Sequence, residues 1–270
     1  LGKCSLTAAI PVLSVMGIQA CPMPTAVLTS QTGFKSFYCN DCTDKLDYYT
    51  SEWKKLGFQP DGIYTGFLSS EKQVDKILDF INSFETENTL VLVDPVMGDG
   101  GRTYSLFTDA LACKMKKLVT VADVITPNLT ECCILCDVDY CEFIKNADKP
   151  DFMDKIAELG KNLLNRYGVK IVIITGIEHK DIDGTMYVQN LIASKDEVFS
   201  VSCKKIGGSY SGTGDLFASV MFSGLLRGDT LRDTVSLAVK FIETSLRDTV
   251  ALGIDRNEGI EFEKHLKILL

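Results

Sequence analysis

The densest concentration of chemically useful residues is Gly207-Gly208-Ser209-Tyr210-Ser211-Gly212-Thr213-Gly214-Asp215. It lies between a β-rich run and a helical pattern that is apolar nearly all round. The backbone N–H groups of Gly212, Thr213 and Gly214 therefore fall at a helix N-terminus. Such an end binds anions, because its unpaired donors and the helix dipole both favour negative charge. Glycine lets a phosphate approach the backbone closely. Asp215, in the first helical turn, can accept the proton of an attacking hydroxyl while the same N–H groups stabilise charge on a transferring phosphoryl. A tight turn with an acidic residue in helix turn one needs one or two glycines; four within the eight residues 207–214 exceed that.

Three further loops carry polar groups after predicted strands, where open α/β sheets bind ligands. Asp94-Pro95-Val96-Met97-Gly98-Asp99-Gly100-Gly101 places two carboxylates on a Gly-rich loop, a set that suits Mg²⁺, which takes oxygen ligands and keeps several waters. The same loop could fold over a nucleotide, although Asp and Gly are also ordinary turn formers. In Thr126-Pro127-Asn128-Leu129-Thr130-Glu131, Asn128 and Glu131 have the spacing of a capping box. A carboxylate fixed there is also able to bind a metal-bound water. Thr175-Gly176 closes the most apolar β run, and its hydroxyl could meet a nucleotide phosphate.

The elements that must position these loops alternate between helical and strand-like patterns. Ser5 to about Met16 reads as a helix; Leu46, Tyr49, Trp53 and Leu56 recur at helical spacing before Gly57 as C-cap. Ser70 and Gln73 form a capping box ahead of Val74, Ile77, Leu78 and Ile81. Short β-rich runs lie at Gly62–Tyr64, Leu90–Val93, Val124–Ile125 and Lys170–Thr175. From Leu90 onward each is followed by a loop and a helical pattern, the mark of βαβ units. Thr185–Leu191 and Val198–Ser202 read as an antiparallel pair at one edge. Helices from about Thr213 to Arg227, buried, and Leu231 to Leu246 complete the chain. The expectation is one α/β domain over 1–270, with a central, mostly parallel sheet flanked by helices on both faces.

Composition narrows the chemistry. The formal net charge is −8 and the basic residues are dispersed, which argues against a nucleic-acid surface. No apolar stretch is long enough to span a bilayer and no signal peptide opens the sequence. Ten cysteines in a long, core-rich chain read as free, mostly buried thiols in a reducing cytoplasm. The Cys39/Cys42 and Cys133/Cys136 pairs have zinc-like spacing but no histidine neighbour. His179 and His265 stand alone and read as ordinary side chains. No P-loop, dinucleotide fingerprint, protein-kinase motif, nucleophile elbow or zincin helix is present.

In this order the motifs resemble the pyridoxal kinases of the ribokinase-like superfamily, over essentially the whole chain. The resemblance rests on Gly17-Ile18-Gln19 with Pro24–Leu28, Gln31-Thr32-Gly33-Phe34, Thr65-Gly66-Phe67-Leu68, Asp94–Asp99, Thr126-Pro127-Asn128 with Glu131, and Gly212-Thr213-Gly214-Asp215. It implies an ATP- and Mg²⁺-dependent kinase that phosphorylates the 5′-hydroxymethyl group of pyridoxal, pyridoxamine or pyridoxine. Asp215 would be the base and Gly212, Thr213 and Gly214 the anion hole. Asp94, Asp99, Asn128 and Glu131 fall where the family organises Mg²⁺ and the ATP phosphates, with Asp94, Asp99 and Glu131 on the metal. Tyr104, Thr126, Thr175 and Thr213 match nucleotide positions. Thr32 and Phe67, with Asp215, match the side that holds the pyridine ring, and the Gly98–Tyr104 loop resembles a flap over ATP. A homodimer and a monovalent cation such as K⁺ are further implications.

Relatives begin with a strand immediately before the segment matching Leu1–Ser5, so the resemblance leads us to expect a sheet without its first strand. A hydroxymethylpyrimidine kinase is the nearest alternative. Many of those enzymes resemble this chain but carry Cys in place of the final Asp of Gly-Thr-Gly-Asp, and Asp215 argues against that reading. A non-catalytic pyridoxal- or nucleotide-binding protein is the alternative from another class.

Overall fold

The computed structural model describes residues 1–147, 149–181 and 183–270. They form two compact units, one of Leu1–Cys42 with Cys203–Leu270 and one of Thr43–Ser202. Among the described residues no helix is long and apolar enough to cross a membrane.

The first unit opens with α1 (Leu6–Val15) and a two-stranded antiparallel sheet of β1 (Ala26–Leu28) and β2 (Cys39–Asp41). The second unit begins with a 3₁₀ turn (Thr43–Lys45), α2 (Leu46–Lys55), β3 (Gly62–Thr65), α3 (Glu71–Phe84) and β4 (Leu90–Val93). A small hairpin follows, β5 (Gly98–Asp99) with β6 (Arg102–Thr103), then α4 (Asp109–Val119), β7 (Val124–Ile125), α5 (Leu129–Cys136), α6 (Tyr140–Ile144) and α7 (Phe152–Tyr167). Next come β8 (Ile171–Lys180), β9 (Met186–Ser194) and β10 (Val198–Lys204). The chain returns to the first unit with α8 (Thr213–Arg227), α9 (Leu231–Ala251) and a 3₁₀ segment (Glu263–Leu269).

The central sheet has the order β10-β9-β8-β7-β4-β3. Strands β3, β4, β7 and β8 run parallel, and β9 pairs antiparallel with β8, which is the α/β architecture expected, with one edge closed by consecutive strands. Strand β4 reads Leu-Val-Leu-Val because β3 and β7 flank it and its last three residues are buried. Covered on both faces, such a strand shows no polar alternation. Helix α7 packs on β8 and β9, and α5 on β8. The sheet therefore holds the carboxyl ends of β3, β4 and β7 side by side, with Asp94, Thr126 and Thr65 at them.

Two local expectations change. Thr175-Gly176 does not end a strand: β8 continues to Lys180 through an irregularity between Ile174 and Ile177. Gly176 takes φ +68°, and its N–H donates to Asn190 Oδ1 at 3.2 Å, so the strand kinks and goes on. Ser70 Oγ accepts from Gln73 N–H at 3.4 Å, but the Gln73 side chain reaches back to the N–H of Ser69, one residue earlier than a capping box requires. Helices α1, α2, α3 and α8 lie where their periodicity puts them, and α9 runs five residues beyond Leu246.

In the first unit α8 packs against both α1 and α9, which is why Leu216 to Gly224 are all buried. Gly224 marks the closest approach to α9: a Cβ there would lie 2.4 Å from Thr234 Cγ2. Alanine is intrinsically better than glycine in a helix by about 1 kcal/mol, whereas overpacking costs about 1–3 kcal/mol. Gly224→Ala is therefore expected to destabilise the protein, read as a lower urea midpoint.

Candidate functional site

In the first unit Gly212 is the N-cap of α8 and adopts φ +84°. A Cβ there would fall 1.9 Å from the carbonyl oxygen of Lys3, so both the left-handed backbone and the close approach demand glycine. Thr213 Oγ1 donates to Tyr210 O at 3.1 Å, which holds the loop against the first turn of α8. Asp215 is half-buried, and the N–H groups of Ser5 and of Asp215 itself face its carboxylate and favour the charged form. Desolvation raises its pKa above the usual aspartate value, and the two N–H bonds oppose that rise. Ser219 Oγ donates to Asp215 O at 2.6 Å.

The Ser5 N–H reaches Asp215 through an uncommon backbone. Ser5 has φ 50° and ψ −133°, which a β-carbon disfavours. Its segment is fixed by Leu1 N⁺ to Thr29 O at 2.7 Å, Gln31 N to Leu1 O at 2.9 Å and Lys3 N to Glu258 O at 3.0 Å. Lys3 Nζ adds ion pairs with Glu261 and with Glu263 at 3.0 Å. Burial, then the charge of Asp215, pushes the neighbouring Cys4 thiol up to about 11, so it is a neutral thiol at physiological pH. Thr32 is half-buried in a turn closed by Phe34 N to Gln31 O at 3.2 Å.

In the second unit Asp94 follows β4 and is buried, and its N–H donates to Thr65 O at 2.9 Å. Glu131 is buried beside it and completes the capping box with Asn128. Glu131 Oε2 accepts Asn128 N–H at 2.8 Å, Asn128 Oδ1 accepts Glu131 N–H at 3.1 Å, and Glu131 Oε1 accepts Met97 N–H at 3.0 Å. Burial holds the Glu131 pKa well above the normal range, with the Asp94 charge adding to the effect. The N–H groups of Met97, Asn128 and Gly98 oppose it.

The β5–β6 hairpin, the segment read as a flap, is tied to the start of α5. Asn128 Nδ2 donates to Gly98 O at 2.7 Å and Gly101 N–H donates to Thr130 Oγ1 at 2.9 Å. Gly101 lies over the Tyr140 ring, 2.5 Å from where its Cβ would be. Asp99, on this hairpin, is exposed and accepts Gly100 N–H at 2.8 Å; Tyr104 is exposed just beyond it. Thr175 joins Asn128 through an isolated parallel bridge, which sets it beside the same helix start. Phe67 is half-buried two residues after β3.

Thus Asp94 and Thr126 stand after neighbouring strands β4 and β7, with Asn128 and Glu131 at the start of α5 and Thr175, within β8, beside them. Among the described residues no group of three His, Cys, Asp or Glu side chains could hold a metal ion. The donor set still fits Mg²⁺ that keeps part of its water, because two carboxyl groups buried side by side repel as anions and a hydrated cation relieves that. Thr126 Oγ1 and Thr65 Oγ1 are buried at these ends without a hydrogen-bond partner, and so are available to a bound group. Thr65 and the Ser5 N–H were not singled out in the sequence. Thr65 lies inside a motif noted only for its resemblance, and a backbone N–H leaves no mark on residue type.

The ten cysteines are free, but against expectation only Cys132 and Cys133 are buried, the rest lying half-buried or exposed in loops and at the ends and surfaces of elements. His265 pairs with Asp248 at 2.9 Å, and His179 stacks on Tyr187 with its Nδ1 buried and without a partner.

The α/β sheet and the Gly-Thr-Gly-Asp start of α8 have counterparts in known proteins. The profile of the phosphomethylpyrimidine kinase family matches residues 6–259, and the chain belongs to that family. A Bacteroides thetaiotaomicron protein assigned to phosphomethylpyrimidine kinase, crystallised with pyridoxal, superposes with a TM-score of 0.91 at 38% identity, covering 100% of this chain and 91% of that one. Pyridoxal kinase from Lactobacillus plantarum gives a TM-score of 0.86 at 25% identity over 100% of this chain and 92% of that one. A Schizosaccharomyces pombe protein assigned as a pyridoxal kinase is 29% identical over 207 residues, 74% of this chain; the match spans only 57% of that relative's length. The fold is thus that of the ribokinase-like pyridoxal kinases.

Two substitutions separate binding potential from framework. Thr126→Val removes a hydroxyl that has no partner, so it is expected to raise stability by about 1 kcal/mol. Glu131→Ala strands the N–H groups of Met97 and Asn128 and is expected to cost about 2–3 kcal/mol. Urea denaturation of both variants checks the opposite signs.

Proposed function

We propose that the protein transfers the γ-phosphoryl group of ATP to the 5′-hydroxymethyl group of a B6 vitamer, namely pyridoxal, pyridoxamine or pyridoxine. The observation that carries this reading is Asp215 in the first turn of α8, directly after the left-handed Gly212 N-cap. Membership of a kinase family and the pyridoxal-bound relative at 38% identity support it.

In this reading the Asp215 carboxylate takes the proton of the substrate hydroxyl as its oxygen attacks the γ-phosphorus. The N–H groups at the start of α8, from Gly212 to Gly214, receive the charge on the transferring phosphoryl oxygens. Because those donors are already aligned by the loop bond from Thr213, little reorganisation is needed during reaction. Thr32 and Phe67 are assigned to the pyridine ring, and Tyr104, Thr126, Asn128 and Thr175 to the nucleotide. Asp94, Asp99 and Glu131 would hold Mg²⁺, partly through its waters, and the ion would neutralise phosphate charge. The family's description and relatives described as hydroxymethylpyrimidine/phosphomethylpyrimidine kinases favour a second reading, phosphorylation of a hydroxymethylpyrimidine. The presence of Asp215 favours the B6 vitamers.

ADP release measured with the three vitamers and with hydroxymethylpyrimidine decides between them; turnover with the pyrimidine alone would overturn the first. Asp215→Asn is expected to lower turnover by about 10²-fold or more. Unchanged turnover would remove Asp215 from the mechanism. The raised pKa of Asp215 sets the pH behaviour. The base works ionised, so turnover falls on acidification through a pKa above that of ordinary aspartate. The folded protein also binds that proton more tightly than the unfolded chain. This group's stabilising contribution is therefore full below the unfolded pKa and lost as pH rises through the folded one. At neutral pH Asp215→Asn is expected to unfold at a temperature no lower than the parent's, checked by calorimetry.

A further inference from the structure

The side chain of Gln31 joins three segments of the first unit. Its Nε2 donates to Asn257 Oδ1 at 3.0 Å and to Asn257 O at 3.3 Å, and its Oε1 accepts Gly33 N–H at 2.6 Å. Its Cγ lies 2.7 Å from where a Cβ on Gly2 would be, and its backbone N–H donates to Leu1 O. Gly33 has no room for a side chain either: a Cβ there would meet Asn257 Oδ1 at 2.6 Å and the Gln31 amide at 2.9–3.0 Å. The Gln31 amide thus spans from the loop after α9 to the turn that carries Thr32, and closes that turn from inside. Asn257 is itself set by its N–H to Asp255 Oδ1 at 2.8 Å.

A surface turn of Gln-Thr-Gly-Phe would otherwise sample several conformations, since Gly33 is exposed and tolerates most backbone angles. We infer that Gln31 is a positioning residue for substrate binding: through Asn257 and the Gly33 N–H it fixes the turn from which Thr32 meets the ring of the vitamer. This rests on the assignment of Thr32 to the substrate under the proposed function. Ordering the turn before the substrate arrives lowers the entropic cost of binding and leaves the phosphoryl-transfer geometry at α8 untouched. The effect should therefore appear in the KM for the vitamer and not in kcat.

The test compares Gln31→Leu, Asn257→Leu and Asn257→Asp, the last keeping the accepting oxygen. Expected are a rise of about tenfold in vitamer KM for Gln31→Leu and Asn257→Leu, with kcat and ATP KM within about twofold, and near-parental values for Asn257→Asp. Independently of activity, the Gly33 amide should exchange its hydrogen about tenfold faster or more in Gln31→Leu, because its acceptor is gone. An unchanged vitamer KM in both leucine variants overturns the inference while leaving the kinase reading intact. Equal losses in kcat and in both KM values would show a general structural role and also overturn it. If the parent protein turns over no vitamer, the kinase reading falls, and the substrate role of Gln31 falls with it; the exchange rate at Gly33 then still reports whether the amide holds the turn.

Discussion

Each unit is organised around a carboxyl group whose pKa burial raises and backbone N–H groups pull back. Asp215 is met by the N–H of Ser5 and by its own, Glu131 by those of Met97, Asn128 and Gly98. This constraint decides which segments can be packed where. To deliver the Ser5 N–H, the opening segment must take a left-handed φ at a non-glycine residue and be tied down at Leu1, Lys3 and Glu258. To deliver the Met97 N–H, the chain leaving β4 must turn back over α5, which fixes the base of the β5–β6 hairpin. In both cases the donor comes from a segment remote in sequence, so the carboxylate acts as the pin on which a loop is hung.

The same reasoning explains which features were legible in the sequence. Strand β4 declared itself by four consecutive apolar β-formers, and α8 by an apolar surface all round, because in each case burial dictates residue type. The Asn128–Glu131 box was legible because capping is local and selects side chains at a fixed spacing. Gly212, Asp94 and Thr126 could be placed at strand and helix ends because the βαβ pattern puts loops there. What could not be read were contacts made by the backbone or across long stretches of chain. The Ser5 N–H to Asp215 and the Lys3 carbonyl against Gly212 involve atoms every residue possesses. The kink at Gly176 was missed for a related reason: a Thr-Gly pair ends strands and bulges them with equal ease, and only the partner strand, through Asn190, decides.

The capping box also shows why a structural and a ligand-binding reading of one residue need not compete. Glu131 uses one lone-pair direction on each oxygen for the N–H groups of Met97 and Asn128. A carboxylate has about four such directions, so at least one remains with the Gly98 N–H also close by. The N–H bonds lock the carboxyl orientation, and this is what a metal-bound water needs from a ligand that does not touch the ion directly. Asp94 differs. It sits at a strand end, and the sheet holds its backbone through its N–H to Thr65 O.

Rigidity and chemistry are distributed unequally along the Gly207–Asp215 loop, and the glycines show how. At Gly212 the Lys3 carbonyl fills the space a β-carbon would occupy, so glycine is required by the protein itself. At Gly208 and Gly214 nothing lies within 4 Å of that position, and φ is not in the left-handed range at either residue. Packing therefore gives no reason for glycine at Gly214, which is exposed in the first turn of α8 where alanine would favour the helix. A residue that the fold does not need and helix propensity disfavours fits a requirement from outside the chain. In the proposed reaction the approach of a phosphate to the Gly214 N–H would supply one, since a β-carbon would stand in the anion's way.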